Sequence, residues 1–104
     1  MIFIETSVFT EIITALLSDD SYSELQQSLT LNPEQGDLIP NAGGLRKIRW
    51  KLTNKGKRGG IRVIYYYRNR HDQIIFLYAY AKSKTENLKP AQLKALKQII
   101  GAWK

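Results

Sequence analysis

In the stretch LRKIRWKL, Lys47, Arg49 and Lys51 stand at every second position. In extended chain, residues two apart share one face and lie roughly 6.5 to 7 Å from each other. Successive phosphates of a nucleic-acid strand have a similar separation, so such a row can follow a nucleic-acid backbone. Arg46, Ile48, Trp50 and Leu52 fall on the opposite face. The next segment, TNKGKRGG, reads as a hairpin loop and adds Lys55, Lys57 and Arg58. IRVIYYYR then alternates again. Ile61, Val63, Tyr65 and Tyr67 share one face, and Arg62, Ile64, Tyr66 and Arg68 the other. This places Arg62 on an exposed sheet face and makes Tyr66 the one tyrosine of the triplet that meets a ligand. Unpaired bases stack on such rings, and Tyr80, in QIIFLYAYA, is a further candidate. Lys82 and Lys84 follow that strand.

Little else in the chain can do acid-base work. The one histidine, His71, lies in the turn NRHD, where a surface role is the usual one. No acid occurs between Asp37 and Asp72, so the basic region lacks the paired carboxylates of a two-metal nuclease site. There is no cysteine, and NKGKRGG lacks the P-loop spacing, so no metal or cofactor is called for. Cations remain. Cleavage of a phosphodiester by the RNA's own 2′-hydroxyl can use them. Arg62 suits the charge of the pentacovalent phosphorane. Lys47 or Lys82, crowded by other cations, suits proton transfer. Arg49 holds phosphate beside them. Lys51, Lys55, Lys57, Arg58, Lys84, Tyr66 and Tyr80 are then contacts to RNA.

The elements that carry these residues can be read from periodicity. Residues 1–5 are apolar and β-branched, as in a short strand. Thr6 or Ser7 can cap a helix with the stripe Val8, Phe9, Ile12, Ile13, Leu16 and Leu17. Ser18 to Ser21 breaks that helix and caps a second, which carries Tyr22, Leu25 and Leu29 and ends by Leu31, before Asn32-Pro33. Residues 32–44 form a turn-rich loop. Three strands follow, QIIFLYAYA the most apolar, and Pro90 opens a last helix with the stripe Leu93, Leu96, Ile99, Ile100 and Trp103. The order β-α-α-β-β-β-α is that of an α+β domain with a small antiparallel sheet packed against helices.

Its 104 residues suit one domain over 1–104. The formal charge of +7 divides sharply: residues 1–45 carry seven acids and no Lys or Arg, and residues 46–104 carry 16 basic residues against Asp72 and Glu86. Such one-sided charge favours a polyanionic partner. The start, MIFIETSVF, has no basic n-region, and no apolar run nears the roughly 20 residues that span a bilayer, so a cytoplasmic location without membrane contact is expected.

The segments GGLRKIR (43–49), KGKRGGIRVIYYY (55–67), LYAYAKSKTENL (77–88) and LKPAQLKALKQII (88–100) make the whole chain resemble the RelE/ParE superfamily of bacterial toxins, most closely its HigB-type, RelE-like branch. The resemblance implies a type II toxin and a metal-independent mRNA interferase that enters the A site of the 70S ribosome and cuts mRNA, stopping translation. Its implied partners are mRNA, rRNA and a cognate antitoxin with a helix-turn-helix DNA-binding domain. The family's phosphate-holding and 2′-hydroxyl-activating basic residues map to Lys47 and Arg49, and its transition-state arginine to Arg62. A further family arginine falls near Ser83, between Lys82 and Lys84. The family's base-stacking tyrosine falls near Leu88 or Lys89, where no aromatic stands, leaving Tyr80 or Trp103 to substitute. Two other functions fit such a chain: a ParE-like inhibitor of DNA gyrase, and an RNA-binding module without catalysis.

Overall fold

The computed structural model describes residues 1–51, 60–84 and 87–103. Lys55, Lys57 and Arg58, with the rest of the hairpin loop through Gly59, lie outside the described residues.

The capping signals act as their chemistry requires. Strand β1 (Ile2–Glu5) ends at Thr6, whose hydroxyl accepts the Phe9 N–H at 3.1 Å and opens helix α1 (Ser7–Leu16). Such a cap satisfies one of the free N–H groups of a first turn. Ser18 does the same for helix α2 (Asp19–Leu31), accepting from Ser21 at 3.1 Å. Asp19 and Asp20 then lie in the first turn, where the helix dipole favours negative charge. Strand β2 (Asp37–Leu38) follows, then β3 (Arg46–Trp50), β4 (Ile61–Arg68), a 3₁₀ turn at Asn69–His71, β5 (Gln73–Ala81) and helix α3 (Pro90–Trp103). The expected α+β order is present. The two residues of β2 are an addition, too short to show a period in sequence.

Among the described residues the strands form one sheet in the order β1-β5-β4-β3-β2. It is mixed, which corrects the expected antiparallel sheet. β1 runs parallel to β5, from Ile2↔Gln73 to Glu5↔Phe76. The chain leaves β1 through the helical hairpin, and a long crossover of this kind is what a parallel neighbour needs. The β2-β3, β3-β4 and β4-β5 pairs are antiparallel.

Each face of the sheet is covered. On one, Phe9 and Ile13 of α1 and Leu25 and Leu29 of α2 bury against Ile48, Val63, Tyr65 and Phe76. Phe9 and Phe76 stack with ring centroids 4.8 Å apart. On the other, Leu96 and Ile100 of α3 bury against Ile64, Ile75 and Leu77. Burial on both faces explains the unbroken buried run Ile61–Tyr65 in central β4. It also corrects the expectation that the face carrying Arg62 is open, because α3 and the segment before it lie over part of that face.

Arg46 belongs to the scaffold. Its guanidinium donates to the carbonyls of Glu34 (3.0 Å) and Gly36 (2.8 Å). Tyr65, fully buried, donates from its hydroxyl to the Pro33 carbonyl at 2.8 Å and accepts from the Gly36 N–H at 2.9 Å. These bonds tie the loop before β2 to β3 and β4. No helix among the described residues is long and apolar enough to cross a membrane.

Candidate nucleic-acid interface

The alternation in β3 and β4 brings the cations together through strand register. Arg49 stands directly opposite Arg62, and Arg62 directly opposite Tyr80, forming one row across β3, β4 and β5. The next row is Lys47, Ile64 and Tyr78. Opposed residues on neighbouring strands have Cβ atoms roughly 4.5 to 5.5 Å apart, so Arg49 and Arg62 are held close despite like charge.

Depth differs among the cations of the two rows. Arg49 is exposed, Lys47 is half-buried, and Arg62 is only 7% exposed. The expected exposure of Arg62 is therefore wrong. Its Nη1 donates to the Ile61 carbonyl at 3.2 Å, which fixes the guanidinium against the sheet. An arginine stays protonated in proteins, so this is a buried positive charge on the strand position opposite the exposed Arg49. A substitution to alanine would remove packing as well as charge.

Lys47 lines a small cavity of about 90 Å³ with Ile64, Tyr80, Asn87 and Leu93. Its Nζ donates to Asn87 Oδ1 at 3.3 Å. Tyr80 is 7% exposed, and its hydroxyl has no hydrogen-bond partner among the described residues. Burial pushes the Tyr80 phenol up, the Arg62 guanidinium pulls it back in part, and Tyr78 adds to the rise. Tyr80 is thus no exposed stacking platform, which corrects its expected role. It packs in the core cluster under α3 and also lines the cavity beside Lys47.

The remaining candidates fall at two ends of the sheet. Lys51 is exposed just past β3. Lys82, exposed after β5, donates its backbone N–H to the Gly60 carbonyl at 3.1 Å, which sets it beside the start of β4 and so at the Arg62 end. Lys84 is exposed in the same turn, with its N–H on the Ala81 carbonyl at 3.1 Å. Gly60 has φ +54, and a Cβ there would lie 2.4 Å from the Trp50 carbonyl oxygen, so the chain enters β4 in a conformation that only glycine takes without strain. Tyr66 lies on the Arg62 face, as the alternation requires, but four residues further along β4. It is half-buried, with its ring against Gly44. Trp103 lies beside Arg68, whose guanidinium carbon is 5.5 Å from its ring centroid. That is the far end of β4, so Trp103 cannot stack a base at Arg62. Sequence reasoning missed Asn87, whose part depends on a contact across 40 positions of the chain. Among the described residues, no three His, Cys, Asp or Glu side chains gather as a metal site requires.

The fold is thus a small α+β domain that sets Arg49 and Arg62 side by side across its central strands. A family model, the RelE toxin of the RelE/RelB toxin-antitoxin system, matches residues 15–104. The chain belongs to this family, whose toxins pair with an antitoxin.

Proposed function

We propose that this chain is an endoribonuclease toxin that cuts mRNA in the ribosomal A site and so stops translation. The observation that carries the reading is Arg49 set directly opposite Arg62. Two guanidinium groups brought together in this way draw a phosphate to them, and a rule of sheet pairing set aside is what a functional site permits. In this reading Arg49 and Lys51, both exposed, hold the RNA backbone. Arg62 strengthens the positive field from the strand position opposite Arg49, and this field stabilises the extra charge of the phosphorane. The substrate's 2′-oxygen bonds to phosphorus and the bond from phosphorus to the 5′-oxygen breaks, leaving a 2′,3′-cyclic phosphate and a 5′-hydroxyl. Lys47, steadied by Asn87, or Lys82 moves the proton from the 2′-oxygen to the 5′-oxygen. The step draws on the RNA and these side chains alone, with no metal in it. Its partners are the ribosome, mRNA, rRNA and a cognate antitoxin with a helix-turn-helix domain, and its place of action is the cytoplasm.

Induced expression followed by mapping of mRNA 5′ ends tests this. Codon-phased cuts are expected. In Arg62→Lys, which keeps the charge but loses the guanidinium fork, cutting falls by roughly 10²- to 10³-fold. A melting curve on the same variant separates lost chemistry from lost folding. Intact mRNA with DNA damage would point instead to gyrase, and the absence of any growth defect to plain RNA binding.

A further inference from the structure

The strand that starts beside Arg62 ends in a second basic and aromatic cluster, which the cleavage row does not use. Arg68 lies six residues along β4 from Arg62, roughly 20 Å away at the rise of an extended strand. There a cleft of about 330 Å³ opens between the end of β4, the 3₁₀ turn and the last turn of α3. Its inner wall is half-buried: Tyr66, Arg68 and Trp103. Its rim is exposed: Asn69, Arg70 and His71.

Three features point to one kind of ligand. The volume falls near the lower end of the roughly 300 to 1,000 Å³ usual for small-molecule sites. The wall is aromatic and already ordered. Arg68 sits over the Trp103 ring at 5.5 Å and donates to Gln73 Oε1 at 2.8 Å, so little freedom is lost when a planar group enters. The rim adds the Arg70 guanidinium and the His71 imidazole, while the neighbouring acid, Asp72, is engaged by the Met1 amino group at 3.0 Å. Aromatic and guanidinium planes with cations beside them are what an unpaired nucleotide recognises, the base by stacking and the phosphate by charge.

We infer that this cleft binds one unpaired nucleotide of a structured RNA, as an anchor separate from the cleavage row. That the ligand is RNA rests on the nuclease reading above. The base lies along Tyr66 and Trp103, and the phosphate meets Arg70 and His71.

The test uses the two indole N–H signals of the full chain in NMR, assigned with Trp50→Phe. Titration with adenosine 5′-monophosphate moves the Trp103 signal, and a hairpin RNA with one bulged adenosine binds more tightly than the free nucleotide. Trp103→Leu weakens binding about 5- to 150-fold, the range for loss of one stacked base. Arg70→Ala, at an exposed position, leaves the melting temperature unchanged and lowers the salt dependence of hairpin binding by about one counterion. The inference fails if millimolar nucleotide leaves the Trp103 signal in place, or if Arg70→Ala binds with unchanged affinity and salt slope. Tighter binding of the free nucleotide than of the bulged hairpin would overturn the RNA anchor in favour of a small metabolite. Saturation by an acidic peptide but not by nucleotide would make the cleft a protein site. Because binding is read on the isolated chain, absence of mRNA cuts with an intact Trp103 response refutes the nuclease alone. Cuts without that response refute the cleft alone.

Discussion

Replacing Arg49 with glutamine should make the protein more stable and less active at once. Arg49 is exposed, and its neighbour across the strand, Arg62, is a buried charge. At an effective dielectric constant of about 20, two like unit charges repel by about 4 kcal/mol at about 4 Å and by about half that at twice the separation. Exposure of Arg49 to water and salt lowers this to about 1 kcal/mol or less, in the range for opposed like charges on a sheet. Glutamine keeps most of the side-chain stem and removes the charge, so unfolding should cost up to about 1 kcal/mol more. For a domain of this size that raises the melting temperature by about 4 to 8 °C. At 1 M salt, where the screening length falls to about 3 Å, the gain should largely vanish. Cleavage, read as 5′ ends on a reporter mRNA, should drop by roughly 10²-fold or more. A variant that melts below the parent at low salt would refute the placement of the repulsion. One that melts higher but cuts as well as the parent would refute the reason given for keeping both cations.

Four more outcomes can be tested. Tyr22, Tyr65 and Tyr80 each have a phenol pushed above its ordinary value of 10.0, first by burial in every case and for Tyr22 also by the neighbouring Glu5 carboxylate. The unfolded chain loses these protons first, so stability is retained below about pH 10 and falls above it, by up to about 4 kcal/mol per pH unit for three protons. Tyr80→Phe, which removes a buried hydroxyl with no partner among the described residues, should melt at or above the parent temperature and flatten the alkaline fall by one proton. Gly60→Ala should destabilise by about 1 to 3 kcal/mol in denaturant titration, since alanine is strained at φ +54 and its Cβ would meet the Trp50 carbonyl. Ribosome or RNA binding should weaken steeply with salt, and a flat response would count against phosphate contact as the source of affinity.

Much of the fold was legible because its signals are local. Thr6 and Ser18 are caps in sequence and in structure. Asn32-Pro33 stops α2 at Leu31. Period-two alternation sorted Ile61, Val63 and Tyr65 from Arg62, Ile64 and Tyr66, and the two sets occupy opposite faces. Other features left no local trace. The two-residue β2 has no period, and the parallel pairing of β1 with β5 joins segments about 70 positions apart.

For the site, the sequence alone determined which side chains share a face, because a strand can only alternate, and it concentrated the cations in the second half of the chain. It could not determine depth. Alternation alone puts Arg62 and Tyr80 on an open face, whereas each is 7% exposed, and Tyr80 packs with Leu96 and Ile100 of α3. Helix packing on a sheet is a long-range event, set by where Leu96 and Ile100 find a hydrophobic surface. Tertiary structure also decided which residues work together. Register set Arg49 against Arg62, a distant loop supplied Asn87 to Lys47, and the end of α3 brought Trp103 to Arg68 rather than to the cleavage row. Alternation is a property of the backbone, whereas burial and partnership depend on what the rest of the chain lays over it.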